Sequence, residues 1–126
     1  MGLLPIIPIC LMNKRISDTV FITFASLATI VAIYHLIGVF YKLNTSPAWR
    51  HLIFIGINII CIYGLLKRPL WFIYFFALLL AQQLYSHGGD LIWHWRNEHR
   101  VDWISVAVII LMPVIFILLL LARRKW

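Results

Sequence analysis

The chain has 126 residues, of which 63% are apolar or aromatic and only 12% are charged, and its net charge is +7. Soluble domains are about half apolar and about a quarter charged, so this composition excludes a soluble enzyme, a disordered tail and a secreted disulfide scaffold. The mean hydropathy of +0.95 agrees with that exclusion. Because one membrane-spanning helix needs about 20 apolar residues, the length predicts an all-α, polytopic membrane protein. We expect a single transmembrane domain, built as a four-helix transmembrane bundle.

The predicted helices follow the apolar runs and the prolines of the chain. The first run contains no charge, and Pro47 and Pro69 are typical of the first position of the second and third helices. Gly88 and Gly89 predict an end to the third helix, and Pro113 predicts a kink in the fourth. The four predicted spans are residues 19–40, 47–66, 69–87 and 103–122.

The distribution of Lys and Arg predicts the orientation of these spans. Cytoplasmic connections and termini carry an excess of these residues. Seven lie on the side of the two termini, namely Lys14, Arg15, Lys67, Arg68, Arg123, Arg124 and Lys125. Four lie on the other side, namely Lys42, Arg50, Arg96 and Arg100. We therefore expect both termini to be cytoplasmic, in the inner membrane if the cell is bacterial. The same rule explains the pI of about 9.9 without any nucleic-acid partner.

The histidines form the main candidate for a functional site. On this topology all five lie towards the outer side: His35, His51, His87, His94 and His99. His35 is about 7 Å from the outer end of its helix at 1.5 Å per residue. Because an ionisable group within a span is costly, we expect His35, His51 and Gln83 to line one outward-facing cofactor-binding pocket. The alternative is that His35 only hydrogen-bonds a neighbouring helix and fixes its packing.

A second candidate site lies in the third connection. His87, Asp90, His94 and Glu98 recur at intervals of three and four, which places them on one broad helical face. Imidazole and carboxylate groups at this spacing are typical ligands of a divalent transition metal. The sequence therefore predicts a metal site at these four residues, and a haem group is a further possibility.

A simpler interpretation of the same segment needs no ligand. Leu91, Ile92, Trp95 and Trp103 share another face, so residues 90–103 also match a short amphipathic helix lying in the outer interface. On that interpretation the histidines and acids face water. It is favoured over the metal site because interfacial helices are commoner than metal sites.

Three functions remain compatible with these patterns. The first is a non-catalytic accessory or assembly subunit, with the bilayer and other membrane subunits or a second copy as partners. The second is a metal-, haem- or proton-handling protein that uses the outer cluster. The third is a small transporter or an outer-leaflet lipid-processing enzyme. No nucleophile–base pair is evident, so whether the chain is an enzyme stays open. We expect the first function. Met12 is an alternative to Met1 as the natural start.

Overall fold

The computed structural model describes residues 14–41 and 46–122, and the only regular secondary structure within them is α-helix. The described residues form four helices: α1 (Lys14–Phe40), α2 (Ala48–Lys67), α3 (Leu70–Glu98) and α4 (Trp103–Ala122). Three of them, α1, α2 and α4, are long enough and apolar enough to cross a membrane. The prediction of an all-α membrane protein is confirmed at that level. Met12 and several of the basic residues counted above lie outside the described residues.

The prolines position the helix starts as their chemistry predicts. Pro69 has φ of −67° and ψ of 152°, and it lies immediately before the first residue of α3. Its carbonyl accepts a hydrogen bond from the Phe72 N–H at 3.0 Å, and Pro47 accepts one from the Arg50 N–H at 3.0 Å. Proline has no N–H to lose at a helix start, and its fixed φ suits that position. Both helices therefore begin one residue after the proline.

The predicted end of the third helix at Gly88 and Gly89 is wrong. α3 passes through both glycines and continues to Glu98, and neither glycine has a positive φ. Glycine costs about 1 kcal/mol relative to alanine inside a helix, which is less than the hydrogen-bonded turns on either side supply. The chain leaves the helix at His99, whose φ of 51° and ψ of 32° form a left-handed cap. Residues 90–98, predicted as part of a separate interfacial helix, are the last turns of α3.

The chain forms two compact units, each consisting of two helices joined by a short connection. In the first unit α1 packs against α2, and in the second α3 packs against α4. Each helix contributes a buried pair of side chains four residues apart, which is the spacing of one helical face. These pairs are Phe21 and Ala25 on α1, Cys61 and Leu65 on α2, Phe72 and Phe76 on α3, and Ile115 and Leu119 on α4.

The register of α3 against α4 leaves the end of α3 without a neighbour on α4. The Phe76 and Phe116 rings stack at a centroid distance of 6.4 Å, and further along the same contact His87 meets Ser105. α4 begins only two residues before Ser105, whereas α3 continues from His87 to Glu98. The last turns of α3 therefore extend past the start of α4, and their side chains are mostly exposed.

Candidate functional sites at the helix contacts

His35 of α1 and His51 of α2 meet where the two helices approach their connection. Their Nδ1 atoms are 2.9 Å apart, which is a hydrogen-bonding distance. One Nδ1 must therefore carry the proton that the other accepts, so the two rings hold different tautomers when both are neutral. His51 is only 2% exposed. The contact joins two of the residues predicted for the outer pocket, across sixteen positions of sequence.

The surroundings of this pair hold both rings in place. The Phe54 ring stacks on His35 with a centroid distance of 5.0 Å and an interplanar angle of 13°. Gly38 lies one turn beyond His35 and faces the His51 ring, where an added Cβ would lie 2.7 Å from Cε1. Sequence reasoning missed Gly38, although its position three residues after His35 puts both on one face of α1.

Gln83, the third residue predicted for that pocket, belongs to the second unit. Its side-chain Nε2 donates a hydrogen bond to Oε1 of the neighbouring Gln82 at 2.7 Å. The structure thus joins His35 to His51 and describes Gln83 in a separate contact. Cofactor binding by these three residues stays a prediction.

His87 takes part in a second contact, which joins α3 to the start of α4. Its Nδ1 is 2.9 Å from Oγ of Ser105, and the Ser105 hydroxyl donates to Oδ2 of Asp102 at 2.6 Å. Ser105 is 0% exposed, whereas His87 and Asp102 are partly exposed. The three side chains therefore form a continuous hydrogen-bonded series from α3 to the first turn of α4.

Asp102 has a second role as the N-cap of α4. Its Oδ1 accepts a hydrogen bond from the Ile104 N–H at 3.2 Å, and its backbone carbonyl accepts one from the Val106 N–H at 3.0 Å. The hydrogen bond from Ser105 holds the pKa of the Asp102 carboxyl below its ordinary value, and the backbone bonds act in the same direction. Sequence reasoning missed the contact between Asp102 and Ser105. An acidic residue directly before an apolar run, with Ser three residues later, is a typical N-cap pattern.

The remaining predicted metal ligands lie at the exposed end of α3. The Nδ1 of His94 is 2.9 Å from Oε2 of Glu98, and Arg100 donates to the same oxygen. Asp90 is exposed, and His87 is bonded to Ser105. Within residues 14–41 and 46–122, no group of three or more His, Cys, Asp or Glu side chains is arranged to hold a metal ion. The metal site predicted at His87, Asp90, His94 and Glu98 therefore stays a prediction.

The connection between α3 and α4 is expected to loosen in acid. Hydrogen bonds from Arg100 and then His94 lower the pKa of Glu98, and the bond from Ser105 lowers that of Asp102. A carboxyl whose pKa is lowered by folding stabilises the fold above its ordinary pKa, 4.5 for Glu98 and 3.8 for Asp102. That contribution is lost as the pH falls through the lowered value. We expect amide exchange in residues 99–106, corrected for its intrinsic pH dependence, to accelerate below about pH 4.

Helix α2 provides the internal control for that measurement, because it contains no Asp or Glu of its own. Asp102→Asn should remove part of the pH dependence while still capping α4, since Asn and Asp cap comparably. Equal protection of residues 99–106 at about pH 3 and about pH 7 would contradict the assigned role of these two carboxylates.

Each unit thus carries a histidine contact between its two helices, near their connection. In both contacts an imidazole uses Nδ1 for a hydrogen bond to the partner helix. Comparisons with protein-family models, with curated proteins and with solved structures found no match to this chain.

Proposed function

We propose that the chain is a multi-pass membrane protein with four spans and both termini in the cytoplasm, and that it serves as a non-catalytic accessory or assembly subunit of a membrane complex. The observation that carries this proposal is which side chains face outward and which face the neighbouring helix. Large apolar side chains remain exposed on all four helices, whereas His51 and Ser105 are buried in contacts with the neighbouring helix.

The proposal of a fourth span concerns α3. Its first eighteen residues, 70–87, contain no charged side chain, and their length suffices to cross the hydrocarbon core. The first charge after Arg68 is Asp90. The excess of Lys and Arg on the side of the termini supports the same arrangement, because four spans return the chain to the side where it starts.

Reporter fusions test this topology directly. We expect fusions after Lys67 and after Trp126 to report a cytoplasmic location, and a fusion near Asn97 to report an external one. The physical reason is the seven-to-four division of basic residues. A cytoplasmic signal at Asn97 would contradict the four-span arrangement and leave α3 on one side of the membrane.

The accessory role is supported by the exposed apolar surface, against which a helix of a partner subunit can pack. Apolar side chains facing lipid gain little from the hydrophobic effect, so helices associate there through close packing and interhelical hydrogen bonds. Exposed examples are distributed over the four helices, including Ile30, Ile59, Leu78 and Ile110. A partner subunit would cover one of these surfaces and leave the others facing lipid.

Site-specific photo-crosslinking in native membranes tests the accessory role. A photoreactive residue is introduced at Ile30, Ile59, Leu78 or Ile110, one on each helix, and all four positions are exposed. We expect one or two positions to give a single crosslinked species of defined mass, while the other positions react with lipid only. The unreactive positions are matched controls for reagent access. Reaction with lipid alone at all four positions, together with a monomer in mild detergent, would refute the proposal.

Elemental analysis of the purified protein, with an absorbance scan for haem, separates this role from the metal- or haem-binding alternative. A subunit that acts only through its contacts should contain neither in stoichiometric amount. A stoichiometric metal or haem that is lost in His94→Ala would replace the accessory role by a ligand-binding one. Arg96→Ala serves as the control on the same exposed segment.

A further inference from the structure

The hydrogen bonds around Ser105 have a defined direction. A hydroxyl has one proton to donate, and Ser105 donates it to the Asp102 carboxylate at 2.6 Å. Asp102 is ionised near neutral pH, because the bond from Ser105 lowers its pKa, and an ionised carboxylate only accepts. Oγ of Ser105 must therefore accept the proton on Nδ1 of His87 at 2.9 Å. A neutral His87 is thereby held in one tautomer, with its lone pair on Nε2.

The Nε2 edge of the His87 ring takes no part in the contact between α3 and α4. His87 is partly exposed, and among residues 14–41 and 46–122 its Nε2 makes no hydrogen bond. Ser105, in contrast, is fully buried, so water does not compete for the series of bonds behind the ring. A lone pair on the accessible edge, with Nδ1 bonded through the buried Ser105 to a carboxylate, is the arrangement that orients a histidine to bind a ligand.

The position of His87 in the helix limits which molecules can contact its ring. It lies level with the start of α4, where Trp103 is exposed, and one to two turns before the exposed Trp93. Tryptophans concentrate at the boundary between hydrocarbon and water. A molecule that meets His87 is therefore one that resides at this boundary, where a polar O–H group and an apolar body can both be accommodated.

We propose that His87 accepts a hydrogen bond at Nε2 from the hydroxyl group of an amphiphilic molecule at the membrane surface, with Ser105 and Asp102 as positioning residues. The hydroxyl keeps its proton, and the lone pair on Nε2 accepts its O–H hydrogen bond. The Nδ1–H bond to Ser105 keeps that lone pair on Nε2, and the anionic Asp102 holds the Ser105 hydroxyl in the orientation this requires. The site is independent of the accessory role proposed above.

The tautomer is the first testable consequence. Full-length protein in lipid nanodiscs, with ¹⁵N in the histidine rings, is measured at about pH 8, where free imidazole is neutral. The His87 signals are assigned by their loss in His87→Gln. We expect a protonated Nδ1 and an unprotonated Nε2 in the native protein and in Ser105→Thr, which keeps a hydroxyl, and a mixture of tautomers in Ser105→Ala. A protonated Nε2 in the native protein would overturn the proposal.

The second test separates a positioning role from mere helix packing. Diethyl pyrocarbonate, an electrophile that reacts with unprotonated imidazole nitrogen, is the probe, and modification of His87 is followed by peptide mass spectrometry. Asp102→Asn is the informative variant, because Asn still caps α4 through its one amide oxygen, whereas the uncharged NH2 group in place of Oδ2 can only donate to Ser105. We expect His87 to react about tenfold more slowly in Asp102→Asn, at the lower end of what loss of a supporting partner costs an oriented histidine.

The exposed His99, which caps α3, reports reagent access in the same samples and should react equally in every variant. Nanodiscs with a hydroxyl-bearing headgroup, phosphatidylglycerol, are compared with phosphatidylcholine, which has none. We expect the Nε2 signal of His87 to shift only with phosphatidylglycerol. Unchanged His87 reactivity in Asp102→Asn, or an Nε2 signal identical in the two lipids, would overturn the proposal.

Discussion

Replacing Gly38 by alanine is expected to separate α1 from α2 at the contact between His35 and His51. The added Cβ would lie 2.7 Å from Cε1, 2.9 Å from Nδ1 and 3.0 Å from Nε2 of His51, which is closer than nonbonded atoms pack. The ring has little room to yield, since His51 is buried and its Nδ1 is bonded to His35. Overpacking of this kind costs about 1–3 kcal/mol, and loss of the hydrogen bond adds about 1 kcal/mol.

The free energy of unfolding in mild detergent measures this effect, and Gly56→Ala is the matched control. Gly56 is also helical, but an added Cβ there would meet no atom within 4 Å. That change should be neutral or stabilising by up to about 1 kcal/mol, because alanine is the better helix former.

A double mutant identifies the cause of the Gly38→Ala effect. In a His51→Ala background the Cβ at position 38 has no ring to meet, so most of the cost should disappear. Equal destabilisation by Gly38→Ala with and without the His51 ring would show that the clash is not responsible.

Phe72→Ala is expected to be the most destabilising truncation in the second unit. Phe72 is 0% exposed, and its ring contacts those of Phe75 and Phe76, with centroids 6.0 and 5.7 Å away. Removing the ring leaves a void whose lining loses its packing contacts, a loss that does not depend on water as the surrounding solvent. The cost of such a change is about 3–5 kcal/mol in well-packed cores.

Leu78→Ala is the control for this prediction, because Leu78 lies on the same helix and is 75% exposed. Truncation there removes a side chain that faces outward and leaves no void, so the change should cost less than about 1 kcal/mol. Both variants are compared by the same detergent unfolding titration. A cost for Phe72→Ala no greater than that for Leu78→Ala would show that the Phe72 ring is not packed in the folded protein.

The sequence by itself determined the class of this protein and most of its helices. Apolar runs of about 20 residues predict helices wherever they occur, because a backbone in hydrocarbon must satisfy its own hydrogen bonds. Pro47 and Pro69 predicted the starts of α2 and α3 to within a residue, since proline acts on the local backbone alone. Local signals were insufficient at Gly88 and Gly89, where helical turns on both sides outweigh the preference of glycine for other conformations.

Only the tertiary structure decided which polar groups meet. The spacing of His87, Asp90, His94 and Glu98 predicts a shared face, and His94 does meet Glu98 one turn later, but His87 bonds Ser105 of the neighbouring helix. It likewise pairs His35 with His51 across two helices. The physical reason is that such contacts depend on the rotation of each helix about its axis and on the register between neighbours. Those quantities are set by the packing of whole helical faces, so the spacing of residues within one helix does not contain them.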